Sequence, residues 1–373
     1  MDFAFSTEQE DFRQTVRRFV TDRSPLTTVR EAIATEAGYD ANLWSDMARQ
    51  LGLPGLLIPG ECGGSEATMV EAALVMEELG RGLVPSPYFA TVALGVVPML
   101  VAGTDEQKKD LFPDICEGNR TVTTAINGLG DGGRFDRTTL RAVGDRNNVV
   151  LSGTKTHVID GHTADTIIAV ASCAADDSSL GLYLVDGSAP GLTRKRIETL
   201  DLTRPMATLE FDRVPAARLG ETADSAILSH ILNVVNALLA AEMVGGMEAA
   251  MTMAVDYAKV RHQFNRPIGS FQAIKHRCAE MAVEVDIARA AALYAAYVAS
   301  EDSDELATAA PIAMATAAAG FDFVASWNIQ IHGGIGFTWE HDSHLYYRRA
   351  KACQALFGSV RAHWLQLADR VGI

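Results

Sequence analysis

The sequence predicts an α+β protein in three consecutive segments, and three observations carry that prediction. Apolar residues recur at helical spacing through residues 1–118. Short β-branched runs separated by turn signals fill residues 119–222. From 223 to 373 the helical period returns in long, alanine-rich stripes. Strands segregated between helical blocks make α+β rather than alternating α/β. A composition 48% hydrophobic but only 7% aromatic fits packed helices, and 373 residues are too many for one small core.

Taken in order, Ser6 or Thr7 is placed to cap a first helix with acidic residues in its first turn and Phe12, Val16, Phe19 and Val20 on one face. Leu43 to Leu51 reads as a second helix, followed by a Gly/Pro-rich connection through Ser65 and a helix over Val70–Leu79. Pro85 opens an apolar helix to about Val101, and Asp105 begins another. The β block comprises Thr121–Ile126, Thr139–Val143, Asn148–Leu151, His157–Ile159, Thr166–Ala171, Leu182–Val185 and Ala207–Phe211, a small barrel or sandwich. From Asp224 the stripe Ile227, Ile231, Val235, Leu238, Gly245, Ala249 marks a long helix. Helices over Phe271–Ser300 and Glu305–Ile331 follow, Pro311 kinking the latter or sitting in its first turn, and a last helix starts at Ser343.

The net charge of −15, with no basic stripe, argues against nucleic acid as a partner. Five cysteines without CxxC spacing fit free thiols, not a disulfide frame or zinc site. The acidic N-terminus lacks a signal-peptide core, and no apolar run is expected to reach the ~18–20 residues of a membrane span. The expectation is a soluble cytoplasmic protein without a metal.

Two stretches carry chemistry. In Gln330-Ile-His-Gly-Gly-Ile-Gly-Phe-Thr-Trp-Glu340, Gly333, Gly334 and Gly336 let backbone approach a ligand, with Gln330 and His332 as hydrogen-bonding groups beside it. The bland reading is a helix C-cap. In Arg261-His-Gln-Phe-Asn-Arg-Pro-Ile-Gly-Ser-Phe-Gln272, a planar guanidinium suits a pyrophosphate and the amide of Gln272 suits a base. Its bland reading is a helix end with a surface arginine and a structural turn.

Together, and in this order, the two stretches resemble the acyl-CoA dehydrogenase family, and the resemblance extends over the whole chain. It implies a helical domain, a β-barrel domain and a C-terminal four-helix bundle that oligomerises to a homo- or heterotetramer. It implies FAD as cofactor, an acyl-CoA as substrate and an electron-transfer flavoprotein as acceptor. Carried over, Arg261, Phe264, Phe271 and Gln272 reach a neighbour's FAD, and Gln330, Gly333 and Gly334 contact its nucleotide half.

The chain departs from the family pattern near the flavin ring. A Thr-Glu-Pro-Gly-x-Gly-Ser-Asp-like loop is replaced by Ala125-Ile-Asn-Gly-Leu-Gly-Asp-Gly-Gly-Arg134. In Lys155-Thr-His-Val-Ile-Asp-Gly161, His157 stands where the family has Trp; it is a flavin contact or an ordinary barrel histidine. The usual base, a Glu before Gly, falls at Phe357, and the family's alternative position falls at Val235; neither takes a proton. Glu242, two turns after Val235 on the apolar stripe, is the remaining catalytic candidate, against the alternative that it pairs with an arginine. Glu340 is a weaker one, and His341 and His344 read as packing or surface histidines. Gly245, Gly246 and Ala249 mark either a widened acyl pocket or close helix packing.

The readings are therefore α,β-dehydrogenation of an acyl-CoA in lipid or steroid side-chain catabolism by this chain alone; the same process with this chain as a non-catalytic subunit completing another chain's FAD site; or a flavin monooxygenase-type relative, which needs no carboxylate base.

Overall fold

Ser6 opens the first helix, α1 (Thr7–Arg23), through a capping box: its side chain accepts from the Gln9 N–H while the Gln9 side chain accepts from the Ser6 N–H. This is seen in a computed structural model that describes residues 5–126, 138–144, 148–173, 176–220 and 225–373. The expected Asn127–Gly128 turn, the loop through Arg134 and the helix start at Asp224 lie outside the described residues. Helices continue as α2 (Leu26–Ile33), α3 (Ala41–Leu51) and α4 (Met69–Arg81). α3 is capped by Asp40 and stopped by Gly52 at φ 63°. The apolar stretch after Pro85 is not the expected α-helix throughout: Phe89–Val96 is a π-helix that passes into α5 (Val97–Ala102). A second capping box, Thr104 with Gln107, starts α6 (Asp105–Cys116).

The strands are β1 (Val122–Ala125), β2 (Arg141–Val143), β3 (Val149–Ile159), β4 (Thr166–Cys173), β5 (Asp176–Asp186), β6 (Leu192–Ile197) and β7 (Met206–Arg218). Pairing runs β4–β2–β3–β7–β5 and back to β4, which closes a barrel and removes its edges. β1 adds to β4 in parallel and β6 adds to β7. The interior is filled by Leu140, Leu151, Val158, Ile167, Leu209, Phe211 and Val214. Two expected strands, Asn148–Leu151 and His157–Ile159, are one strand, β3, interrupted by register shifts after Leu151 and after Lys155. β6 was not anticipated.

The C-terminal helices are α7 (Ser225–Val260), α8 (Gln272–Ser300), α9 (Leu306–His332), α10 (Ser343–Cys353) and α11 (Val360–Val371), with a short hairpin, β8 (His262–Gln263) and β9 (Arg266–Pro267), between α7 and α8. The single last helix expected from Ser343 is two, broken at Phe357 (φ 54°) and Gly358 (φ 124°). Pro311 lies inside α9, beyond its first turn. α7 and α9 do each contain a stretch long and apolar enough to cross a membrane, but 83% and 61% of those stretches are buried within the fold, as core helices are.

The chain divides into two compact units. One comprises residues 31–68 and 85–235 and contains the barrel; the other comprises residues 1–30, 69–84 and 236–373. In the second, α1 is held to α4 by an ionic cluster: Arg13 and Arg17 reach Glu77 and Glu78, both nearly fully buried. Arg81, Glu248 and Arg289 complete it. α4 and α7 meet at backbone distance. A Cβ on Gly245 would lie 1.7 Å from the Glu77 carbonyl oxygen, and one on Gly80 would lie 2.0 Å from that of Glu242. Gly246 faces the Phe321 ring in the same way. Gly245 and Gly246 therefore serve close helix packing, not a widened pocket.

Candidate functional site

The end of α7 builds the first half of the site. The Arg261 N–H donates to the Tyr257 carbonyl at 2.9 Å, and the chain then turns through β8–β9, with Gln263 opposite Arg266. Phe264 (φ 53°) and Asn265 (φ 63°) form the two-residue tip. Two consecutive positive φ values match the right-handed twist of a hairpin, at a cost for a bulky residue such as Phe. Phe264 is 88% exposed, so that cost is not offset by burial within the chain. Phe271 lies under the hairpin, its ring 6.1 Å from Phe264 edge-on and 4.0 Å from the Arg266 guanidinium carbon. Arg261 and Gln272 are exposed.

The end of α9 builds the second half. Gly333, at φ 67°, closes the helix with its N–H on the Gln330 and Ile329 carbonyls. A Cβ at Gly333 or Gly334 would meet nothing within 4 Å, so this backbone faces open space. Gly336 differs from expectation: a Cβ there would lie 2.8 Å from the His332 Cβ, so it serves close packing of the turn on its own helix. Gln330 is exposed, but His332 is turned inward, its Nδ1–H donating to the Asn328 carbonyl at 2.8 Å. Burial holds its ring below the usual histidine range. It is therefore not a group offered beside the opening.

The two halves are neighbours. Tyr257, one turn before Arg261, stacks on His332, which precedes Gly333, with centroids 4.3 Å apart. His332 also meets His341, with ring centroids 4.2 Å apart. His344 is buried against Trp339, and desolvation pulls it down to about 4. The described residues hold no group of His, Cys, Asp or Glu that suits a metal ion. Sequence reasoning missed Tyr257 and Asn328, although an aromatic residue one turn before Arg261 was a usable signal.

Glu242 is paired with Arg349, as the alternative reading had it; the guanidinium Nη1 meets the carboxylate Oε1, and both side chains are nearly buried. Phe357 is half-buried. Glu340 is exposed. In the barrel unit, His157 is exposed at φ 57° on the second bulge of β3, with Nδ1 3.1 Å from the Thr156 hydroxyl. The loop Asn127–Arg134 lies outside the described residues. Two residues from His157, Lys155 is fully buried. Its Nζ donates to Thr138 Oγ1 at 2.7 Å, and burial pulls it down to about 7.

Open glycine backbone near an exposed Arg/Gln hairpin is a surface suited to a phosphate-bearing ligand. The family models for the N-terminal and C-terminal domains of acyl-CoA dehydrogenase match residues 6–119 and 226–372. The acyl-CoA dehydrogenase IpdE2 of Mycobacterium tuberculosis is 33% identical over 98% of this chain and 97% of its own length. Among solved structures, a variant of the Tcur3481–Tcur3483 steroid ACAD superposes with a TM-score of 0.89 at 31% identity, covering 98% of each chain. A chain of the ChsE4–ChsE5 complex of Mycobacterium tuberculosis does so with 0.90 at 25%, covering 100% of this chain and 99% of that one. The chain belongs to the acyl-CoA dehydrogenase family, whose members are FAD-dependent oxidoreductases.

Proposed function

We propose that this chain serves the α,β-dehydrogenation of an acyl-CoA in lipid or steroid side-chain catabolism, as one subunit of a hetero-oligomer whose FAD site it completes. The names of two structural relatives, a steroid ACAD and a two-protein complex, favour that substrate class and assembly. One contrast supports it most. The nucleotide-binding groups are outward and unencumbered, with Phe264 88% exposed and Gly333–Gly334 open. The groups expected to take a proton are a phenylalanine, Phe357, and a carboxylate already paired with Arg349.

The residues fit the adenosine-diphosphate half of FAD: no Cβ obstructs Gly333 and Gly334, and the exposed Arg261, Gln272 and Gln330 supply a permanent charge and two amides. When bound, FAD supplies the acceptor for the β-hydride. This chain's part is to hold and orient. Arg261 would neutralise the diphosphate, the open Gly333–Gly334 backbone would let it approach closely, and Phe264 would present an exposed aromatic face. With Phe357 standing where the family has its base, the group that would take the α-proton would come from the partner chain, and an electron-transfer flavoprotein would be the acceptor.

The test is the visible spectrum of the chain purified alone and after co-expression with an adjacent acyl-CoA dehydrogenase-like gene, each mixed anaerobically with acyl-CoAs. A colourless lone chain that gains FAD and bleaching only with the partner is the expected result. Bleaching by the lone chain would make it self-sufficient. Oxygen consumption without an enoyl product would favour the monooxygenase reading.

A further inference from the structure

His332 is in tilted ring contact with both Tyr257 and His341, and each of the three rings is tied to a different piece of the nucleotide surface. Tyr257 lies at 4.3 Å with a 30° tilt, and its carbonyl receives the Arg261 N–H at the root of the hairpin. His332 immediately precedes Gly333. His341 lies at 4.2 Å; its Nδ1 is 3.0 Å from Ser343 Oγ, and that hydroxyl donates to the Gly336 carbonyl at the far end of the glycine turn. His341 is itself held from behind, since the Arg30 guanidinium donates to its carbonyl at 3.1 Å and to Asp342 at 2.7 Å. The His332 side chain is buried and its Nδ1–H is spent on the Asn328 carbonyl. The His332 ring is thus held by its own helix while touching a ring from each neighbouring segment.

We infer that His332 is a positioning residue that locks the Arg261 hairpin to the Gly333–Gly334 turn, so that the two arms meet the FAD diphosphate and adenosine as one preorganised surface. This rests on the flavin-nucleotide reading above. His332 itself does not touch the cofactor. Its contribution is to remove the ordering that two independent arms would otherwise undergo on binding. The arms come from helices whose ends are far apart in sequence, and Phe264 at the hairpin tip is solvent-exposed, so the Tyr257–His332 contact is a brace between them.

The experiment is a double-mutant cycle on FAD affinity, read by flavin fluorescence in the co-purified complex after FAD is stripped and titrated back. Arg261→Met is made in the wild type and in His332→Leu, and His332→Phe serves as the ring-preserving rescue. His332→Leu is expected to weaken FAD binding roughly tenfold, and Arg261→Met to cost about tenfold in the wild type but under about threefold in the His332→Leu background, the non-additivity of coupled neighbours. His332→Phe recovers most of the affinity. Equal costs of Arg261→Met in both backgrounds, or unchanged affinity in a folded His332→Leu complex, overturn the inference. Should His332→Leu not fold, Tyr257→Leu breaks the same stack from the other helix and takes its place in the cycle. A wild-type complex whose FAD affinity is indifferent to Arg261→Met sinks the underlying reading instead.

Discussion

Glu242 and Arg349 form an ion pair whose side chains are only 7% and 3% exposed. The pair joins α7 to α10. Glu242 is the carboxylate that the apolar stripe singled out as a candidate base, so the pair decides what a mutation there measures. Breaking a buried pair by removing one partner leaves the other charge uncompensated, at about 3–5 kcal/mol. Arg349→Met and Glu242→Gln are both expected to lower the urea midpoint accordingly, while kcat of the assembled complex, per folded molecule, stays within about twofold of wild type. A large fall in kcat for Glu242→Gln at unchanged stability would return Glu242 to the role of proton acceptor.

Gly245 and Gly80 set a second expectation. With the Glu77 carbonyl oxygen 1.7 Å from where a Gly245 Cβ would stand, alanine cannot be accommodated unless α4 and α7 separate. That separation would disturb the ionic cluster Glu77 shares with Arg13 and Arg289. Gly245→Ala is therefore expected to destabilise by about 1–3 kcal/mol or more, as overpacking does, without changing which acyl-CoAs are accepted. Thermal denaturation with a chain-length profile of turnover checks it. A shifted profile at full stability would instead place Gly245 at an acyl pocket.

Lys155 gives a pH dependence of definite sign. Its ammonium is fully buried, with Thr138 its one recorded partner among the described residues. Burial lowers its pKa from 10.5 to about 7. Below pH 7 both folded and unfolded chains carry the proton, and the folded one bears the full cost of the buried charge. Between about 7 and 10.5 the unfolded chain binds more protons, so stability rises with pH. Lys155→Met is expected to be more stable than wild type by an amount on the order of 5 kcal/mol below pH 7, the gap closing as pH approaches 10.5. Denaturation at pH 6, 8 and 10 reads it, and a gap constant across these pH values would show that burial is not what moves Lys155.

These positions also show what the sequence could reveal. The cap at Ser6 was open to local reading because its box is closed within four residues; the same pattern at Thr104 went unread. The Arg261 and Gly333 stretches were visible because glycine, proline and arginine are specific about backbone and charge. β6 was hidden because Leu-Thr-Arg-Lys-Arg-Ile has little apolar alternation and is a strand through its pairing with β7. β3 read as two strands because its bulge puts His157 at φ 57° and breaks the period. The partner of Glu242 lies 107 residues away, and no spacing rule reaches that far. The inward turn of His332 depends on Tyr257, from another helix, for the same reason.

Gly334 separates ligand binding from folding more cleanly than any charged residue in the site. A Cβ there meets no protein atom within 4 Å, and its φ lies outside the left-handed region. Gly334→Leu should therefore change stability by no more than about 0.5 kcal/mol, the usual range for a surface position. The side chain would occupy the space through which backbone is proposed to approach the FAD diphosphate, so FAD affinity of the complex should fall by about tenfold or more, a loss above 1.4 kcal/mol. Gly336→Ala is the converse: its Cβ would press on the His332 Cβ at 2.8 Å, so stability should fall with or without flavin. Thermal denaturation of both variants beside flavin titration resolves the two effects. If Gly334→Leu binds FAD as wild type does, the open glycine backbone is not the nucleotide contact, and the site must be sought on the hairpin alone.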